Sequence, residues 1–215
     1  MIHLTNGPQK MEARLRSGEY VCIECNRNKQ PIMPNWPNCE ERKAPVSQFY
    51  AILCGEKNNL LVVDCDIVKP KDGDNCVSGV DAWELLKTQL GSELSTLKIP
   101  TVETPSGGRH LYFRWDPDLR NISSVQKLCP ENFGLSTEKI VKIDILSDRR
   151  CVVGPGSPGY RFVDDSGLND PPALPSILKM ILQVNRGEKN PQNIGIPENR
   201  KVIMAEILTM ILYTI

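Results

Sequence analysis

The chain has 215 residues, 40% of them apolar and 24% charged, a balance that excludes disordered and collagen-like classes. Twenty-six basic and 26 acidic residues cancel, so no bulk basic field draws a polyanion to the surface. Any nucleic-acid contact must then come from a local patch or from bound metal.

In chain order, residues 6–16 read as a short helix, with Pro8 in its first turn and Gly18 beyond its end. Residues 19–23 fit a short strand, and 26–45, with Pro31, Pro34 and Pro37, an ordered loop. The run 60–67, Leu-Leu-Val-Val-Asp-Cys-Asp-Ile, is the strongest strand. Val80, Trp83, Leu86 and Leu90 recur at helical spacing and predict a helix over 80–90. Residues 101–103 and 109–115 form a predicted hairpin through Pro105-Ser-Gly-Gly108. Further strands are expected at 139–146, 151–153 and 160–163, and a helix at 175–184.

A polar linker at 188–197 then leads to an amphipathic helix at 198–213, with Ile203, Ile207 and Ile211 on one stripe. This divides the chain into a main domain, 1–187, and a linker-helix segment, 188–215. The last helix reads either as leading into a further domain or as an exposed terminal helix. Strands and helices in no strict alternation indicate an α+β class.

The first ten residues lack the apolar run of a secretory signal, and no segment has the roughly 18–20 apolar residues of a membrane span. An intracellular protein is expected. Eight cysteines then read as reduced thiols, although Cys22 and Cys25 form a CxxC to which Cys39 could add a third zinc ligand.

Strand alternation sorts the side chains by face. Val63, Cys65 and Ile67 oppose Val62, Asp64 and Asp66; Leu111, Phe113 and Trp115 oppose His110, Tyr112 and Arg114; Val141, Ile143 and Ile145 oppose Lys142 and Asp144. If these strands are neighbours, Asp64, Asp66, Asp144 and His110 converge. At ~5 Å and an effective dielectric of ~20, each carboxylate pair repels by roughly 3 kcal/mol. Either an acid takes a proton or a divalent cation neutralises the group, and oxygen ligands of this kind suit Mg²⁺ or Mn²⁺. Such a centre can drive phosphoryl displacement. The plainer alternative is a set of acids on the wet face of a half-exposed sheet. In Thr104-Pro-Ser-Gly-Gly-Arg-His110, Gly107 and Gly108 could bring amides to a phosphate, Ser106 a hydroxyl and His110, if protonated, a charged donor. A simple hairpin turn is the alternative there.

Together these motifs resemble the archaeo-eukaryotic primase superfamily, in its primase–polymerase (prim-pol) branch of plasmids, phages and large DNA viruses. Val62-Val-Asp-Cys-Asp-Ile67 is similar to its strand-borne DxD. The segment 104–113 resembles its serine-glycine turn and histidine, and Val141-Lys-Ile-Asp-Ile-Leu146 its third motif. Lys29-Gln-Pro31 with Trp36, and Cys151-Val-Val-Gly-Pro-Gly-Ser157 with Tyr160, are flanking matches. Pro155-Gly156 and Arg149-Arg150 depart from the family pattern.

The resemblance implies a catalytic core with an antiparallel sheet like that of the RNA-recognition motif (RRM), packed by helices. It implies nucleotidyl transfer from nucleoside triphosphates on a single-stranded DNA template, to make primers for DNA replication. Asp64, Asp66 and Asp144 would be the catalytic metal ligands. Ser106, Gly107, Gly108, His110 and, more weakly, Arg109 and Lys142 would hold the nucleotide; Arg149 and Arg150 would touch the template. A fused or associated replicative helicase is an implied partner. Rival readings are a metal-dependent nuclease and a non-catalytic single-strand-binding module of the same fold.

Overall fold

The computed structural model describes residues 18–90, 94, 96–119, 140–163, 170–176 and 178–179. The predicted helix at 6–16, the linker at 188–197, the helix at 198–213 and most of the helix at 175–184 lie outside the described residues. Among the described residues no helix is long and apolar enough to cross a membrane.

The strands are β1 (Cys22–Glu24), β2 (Tyr50–Leu53), β3 (Leu60–Cys65), β4 (Cys76–Val77), β5 (Thr101–Glu103), β6 (Arg109–Arg114), β7 (Ile140–Val141), β8 (Ile143–Leu146), β9 (Cys151–Val153) and β10 (Arg161–Phe162). A helix, α1 (Gly79–Leu90), follows β4. The principal sheet has five antiparallel strands in the order β10-β5-β6-β3-β8. A second antiparallel sheet runs β1-β2-β9, and β4 pairs with β7 in parallel. The α+β class holds.

The expected alternation sets up the layers. Leu61, Val63, Leu111, Phe113, Ile143 and Ile145 form one core with Ala82, Trp83 and Leu86 of α1. Trp83 meets Phe113 edge-on at 6.2 Å between ring centroids, a favoured aromatic geometry.

The reverse face is covered over much of its area, unlike the half-exposed sheet of the plainer alternative. Leu60, Val62, Tyr112 and Val102 pack against Cys22, Tyr50, Ile52 and Val152 of the three-stranded sheet, forming a second core. The strand β2 was not predicted: its run Tyr-Ala-Ile-Leu is buried throughout and carries no alternation to reveal it. The predicted strand at 139–146 divides into β7 and β8 at Lys142, and the strand at 60–67 ends at Cys65.

The thiols also part company. Cys22 faces the inter-sheet core, whereas Cys25 lies with Cys39 and Cys151 on the outer face of the second sheet. An odd spacing within an extended segment places the two members of the CxxC on opposite faces, which removes the chelating pair a zinc site needs.

Backbone close approach fixes the start of α1. Gly79 N–H donates to Asp66 O (2.7 Å), and Asp66 N–H to Lys142 O (2.9 Å), so helix, β3 end and β7–β8 junction are laced together. A Cβ on Gly79 would overlap the Lys142 carbonyl oxygen and come within 3.0 Å of Asp66 N. Both obstacles are backbone and cannot swing aside. Gly79→Ala is therefore expected to lower stability by about 2–3 kcal/mol, the cost of overpacking, in a urea titration. Because the displaced element holds Asp66, activity should fall with it.

Candidate active site

Register does what the sequence pattern promised. Asp64 on β3 stands opposite His110 on β6 and, on its other side, opposite Asp144 on β8. Directly paired residues in antiparallel strands have Cα atoms about 4.5–5.5 Å apart. His110, Asp64 and Asp144 thus form one row across three strands. Asp66 lies beyond the strand end, its backbone still held by Lys142 O and Gly79 N–H.

His110 and Asp64 of the row open into a cleft of about 270 Å³, lined also by Asp66, Ser106, Lys29, Lys69 and Tyr160; Asp144, next to Asp64, is not part of that lining. Its ceiling comes from Val152 and Val153 of β9, so the second sheet both seals the core and shapes the cleft.

Electrostatics inside the cleft are strained. Burial first, then the charges of Asp66 and Asp144, push the Asp64 carboxyl up to about 7. The reverse holds for His110: burial, with the Lys29 charge adding to it, pushes its imidazole down to about 3. His110 is neutral in the free site. The condition for a charge-assisted donor, a protonated ring, is therefore not met in the free site. Its Nε2 lies 3.7 Å from Asp64 Oδ1, too far for a hydrogen bond, and its Nδ1 is buried without a partner.

The hairpin before His110 is a built turn. Gly107 N–H donates to Thr104 O (3.0 Å) and Thr104 N–H to Gly108 O (2.9 Å), with Gly107 at φ 88°. This is the pattern of a three-residue hairpin loop closed by a glycine bulge. The Gly107 amide is thereby used within the turn rather than offered to a phosphate. Thr104 Oγ1 and Ser106 Oγ lie 3.1 Å apart, which orients the Ser106 hydroxyl at the cleft mouth. Gly108 is needed for approach: a Cβ there would sit 2.8 Å from Cys65 O.

Other expected residues are placed elsewhere. Arg109 points to the helix face and pairs with Glu84 Oε1 at 2.7 Å. Lys142 pairs with Asp72 at 3.2 Å. Arg149 and Arg150 occupy the turn at the opposite end of β8 from Asp144, where Arg149 has φ 62° and Arg150 O accepts from Cys54 N–H. Lys29 and Tyr160 enter the cleft although only flanking motifs had marked them.

As the side chains stand, no set of three His, Cys, Asp or Glu residues among the described residues is arranged to hold a metal ion. The donor chemistry nevertheless fits a hard divalent cation. Asp64 is a carboxylate crowded by two others in a partly buried site, and a bound cation would relieve that repulsion.

A family model described as "Bifunctional DNA primase/polymerase, N-terminal" matches residues 14–177, more than half of the chain. The chain belongs to the Prim-Pol family. The match contains β1 to β10, α1 and every residue of the cleft. Membership points to a DNA primase/polymerase and thus to a nucleotidyltransferase in general terms, with DNA and nucleotides as the kind of substrate. No curated protein matches the chain.

Proposed function

We propose that the cleft carries out template-directed nucleotidyl transfer: the 3′ hydroxyl of a growing strand attacks the α-phosphorus of a nucleoside triphosphate, and pyrophosphate leaves. The observation that carries this reading is the row His110–Asp64–Asp144 on the cleft side of the sheet, in a chain of the Prim-Pol family. Asp64, Asp66 and Asp144 would hold Mg²⁺ or Mn²⁺. Bound there, the cation supplies positive charge to the carboxylates and to the phosphate oxygens as the bond changes hands.

In this reading His110 and the Ser106 hydroxyl contact the triphosphate, and the Gly107–Gly108 turn brings the backbone close. Val152, Val153 and Tyr160 limit water on the sheet side. Single-stranded DNA is the template, primers for replication are the product, and a replicative helicase is the associated partner. The five-stranded antiparallel sheet with α1 on one face supports kinship with the RRM core. With zero net charge, template binding should be modest and salt-sensitive. A stacking module finds less support: Tyr112, the aromatic residue read on the polar face, is fully buried between the sheets.

The direct test is incubation with single-stranded DNA, all nucleoside triphosphates and Mg²⁺ or Mn²⁺, with products resolved on a gel. Extended or newly initiated strands are expected, and EDTA should remove them. Absence of any nucleotide incorporation under both metals, with intact folded protein, overturns the reading.

A further inference from the structure

We propose that Lys29 is a phosphate-binding residue of the cleft and that Tyr160 positions it together with His110. The inference rests on the nucleotidyl-transfer reading and names a contact to the polyphosphate tail of the incoming nucleotide.

Lys29 is presented by a loop built for the purpose. Asn26 Oδ1 accepts the N–H groups of Asn28 (2.9 Å) and Gln30 (3.0 Å), and Lys29 N–H donates to Asn26 O (2.9 Å). Lys29 itself takes φ 64°, a left-handed conformation uncommon for a long side chain. The loop is closed at its base by the bridge between Cys25 and Pro31. A sequence that fixes an exposed lysine in a costly backbone conformation, at the rim of a cleft, is spending stability on where that ammonium sits.

The ammonium has a seat. Lys29 Nζ lies 5.0 Å from the centroid of the Tyr160 ring, within cation–π range. The same ring lies 5.6 Å from the His110 ring, tilted by 35°. Tyr160 is 7% exposed, so its ring is a fixed wall that holds two substrate-facing groups at once. The other lysine of the cleft, Lys69, is 3.9 Å from Asp66 Oδ1, whereas Lys29 has no carboxylate partner among the described residues. Lys29 is therefore the cationic group of the lining not already facing an acid. A polyphosphate entering beside neutral His110 would meet it first.

Phosphate could also come from the template backbone. The shared cleft with His110 and Ser106 favours the nucleotide. Three variants test the assignment in the full chain: Lys29→Met, Lys29→Arg and Tyr160→Leu. Each is titrated with a deoxynucleoside triphosphate and with inorganic triphosphate, both with Mn²⁺ and without template, by calorimetry; primer extension then gives KM and kcat. Lys29→Met should weaken both ligands about tenfold and raise the nucleotide KM similarly, with kcat within about threefold. Lys29→Arg should restore most of the loss, because charge is kept, and Tyr160→Leu, which removes the ring that seats the ammonium, should weaken both ligands in the same direction, with circular dichroism showing that the chain stays folded. Template affinity, read by fluorescence anisotropy, should not move.

Unchanged affinity for both triphosphates in Lys29→Met overturns the proposal. So does loss confined to the template, which would make Lys29 a backbone contact. A wild-type chain that binds the triphosphates through Lys29 but incorporates none would instead overturn the transfer reading, so the two failures are distinguishable. Lys29 is exposed at a loop tip, and its replacement leaves both cores untouched.

Discussion

Asp64→Asn is expected to abolish nucleotide incorporation while making the metal-free protein more stable at pH 8. Loss of one carboxylate from the centre of the row removes a ligand worth several kcal/mol of charge stabilisation, or about 1,000-fold in rate. The stability effect has the opposite sign because the native carboxylate is held against its preference. Its folded pKa is raised from 3.8 to about 7, so the folded state keeps a proton that the unfolded chain has released. Stability is then undiminished below pH 3.8 and falls as pH rises through about 7. Asparagine carries no charge and escapes that loss. Since the side chain retains 26% exposure, solvent screening reduces the gain. We expect about 1–2 kcal/mol, or about 4 °C in Tm.

Thermal melts in EDTA at pH 8 and pH 5 check this: the difference between variant and wild type should be full at the first and clearly smaller at the second, which lies inside the window between 3.8 and about 7. His110 acts the other way on acidification. Its pKa falls from 6.5 to about 3 in the folded state, so stability is full above 6.5 and is lost as pH drops toward 3. Between pH 3.8 and 6.5 the two groups oppose each other, and the clean window for Asp64 lies above. A divalent cation must displace the Asp64 proton below pH 7, so Mg²⁺ should raise the wild-type Tm more at pH 8 than at pH 6. Asp64→Asn should lose most of that increment. If the variant instead matches wild-type synthesis, the acids are not the reaction centre.

How much of this was legible in advance depends on whether periodicity carried it. Asp64, His110 and Asp144 each interrupt a β-branched or aromatic run, and such interruptions stand out in alternating strands. Their register could be guessed only on the assumption that the strands are neighbours, which the order β6-β3-β8 satisfies. The α1 helix was legible from Trp83 and Leu86 because one face is buried. The second sheet was legible only in part: strands were expected at 19–23 and 151–153, where β1 and β9 lie, but the central β2 is apolar on both sides and nothing in the pattern joined them. With the central strand unread, a wet face stayed open as the plainer alternative, and His110 could be weighed as a charged donor. Burial is the first cause that makes the imidazole neutral and Asp64 reluctant to ionise. Lys29 escaped the site assignment for another reason: its place depends on a left-handed turn and an aromatic neighbour 131 positions away, information that no local pattern contains.

His110→Ala separates nucleotidyl transfer from phosphodiester cleavage. A nuclease built from the same three acids has no triphosphate to hold, so removal of the imidazole should leave cleavage largely intact. Under the transfer reading, incorporation should fall by about 100-fold or more, the scale of removing a well-placed donor in a water-poor site. The neutral state of the free imidazole does not weaken this expectation. A polyphosphate entering the cleft brings negative charge next to the ring, which favours the protonated form and draws its pKa back upward. Even uncharged, the ring keeps one N–H that can donate to a phosphate oxygen, so the contact does not require an isolated buried imidazolium in the free cleft. The alanine variant leaves a cavity against Tyr160 and should lose about 2–3 kcal/mol of stability, a fraction of a typical domain's total. Circular dichroism at the assay temperature checks that the chain stays folded, and gels with labelled nucleotide and labelled DNA read the two activities side by side. Loss of incorporation with no gain or loss of cleavage supports transfer; retained incorporation removes His110 from the nucleotide site.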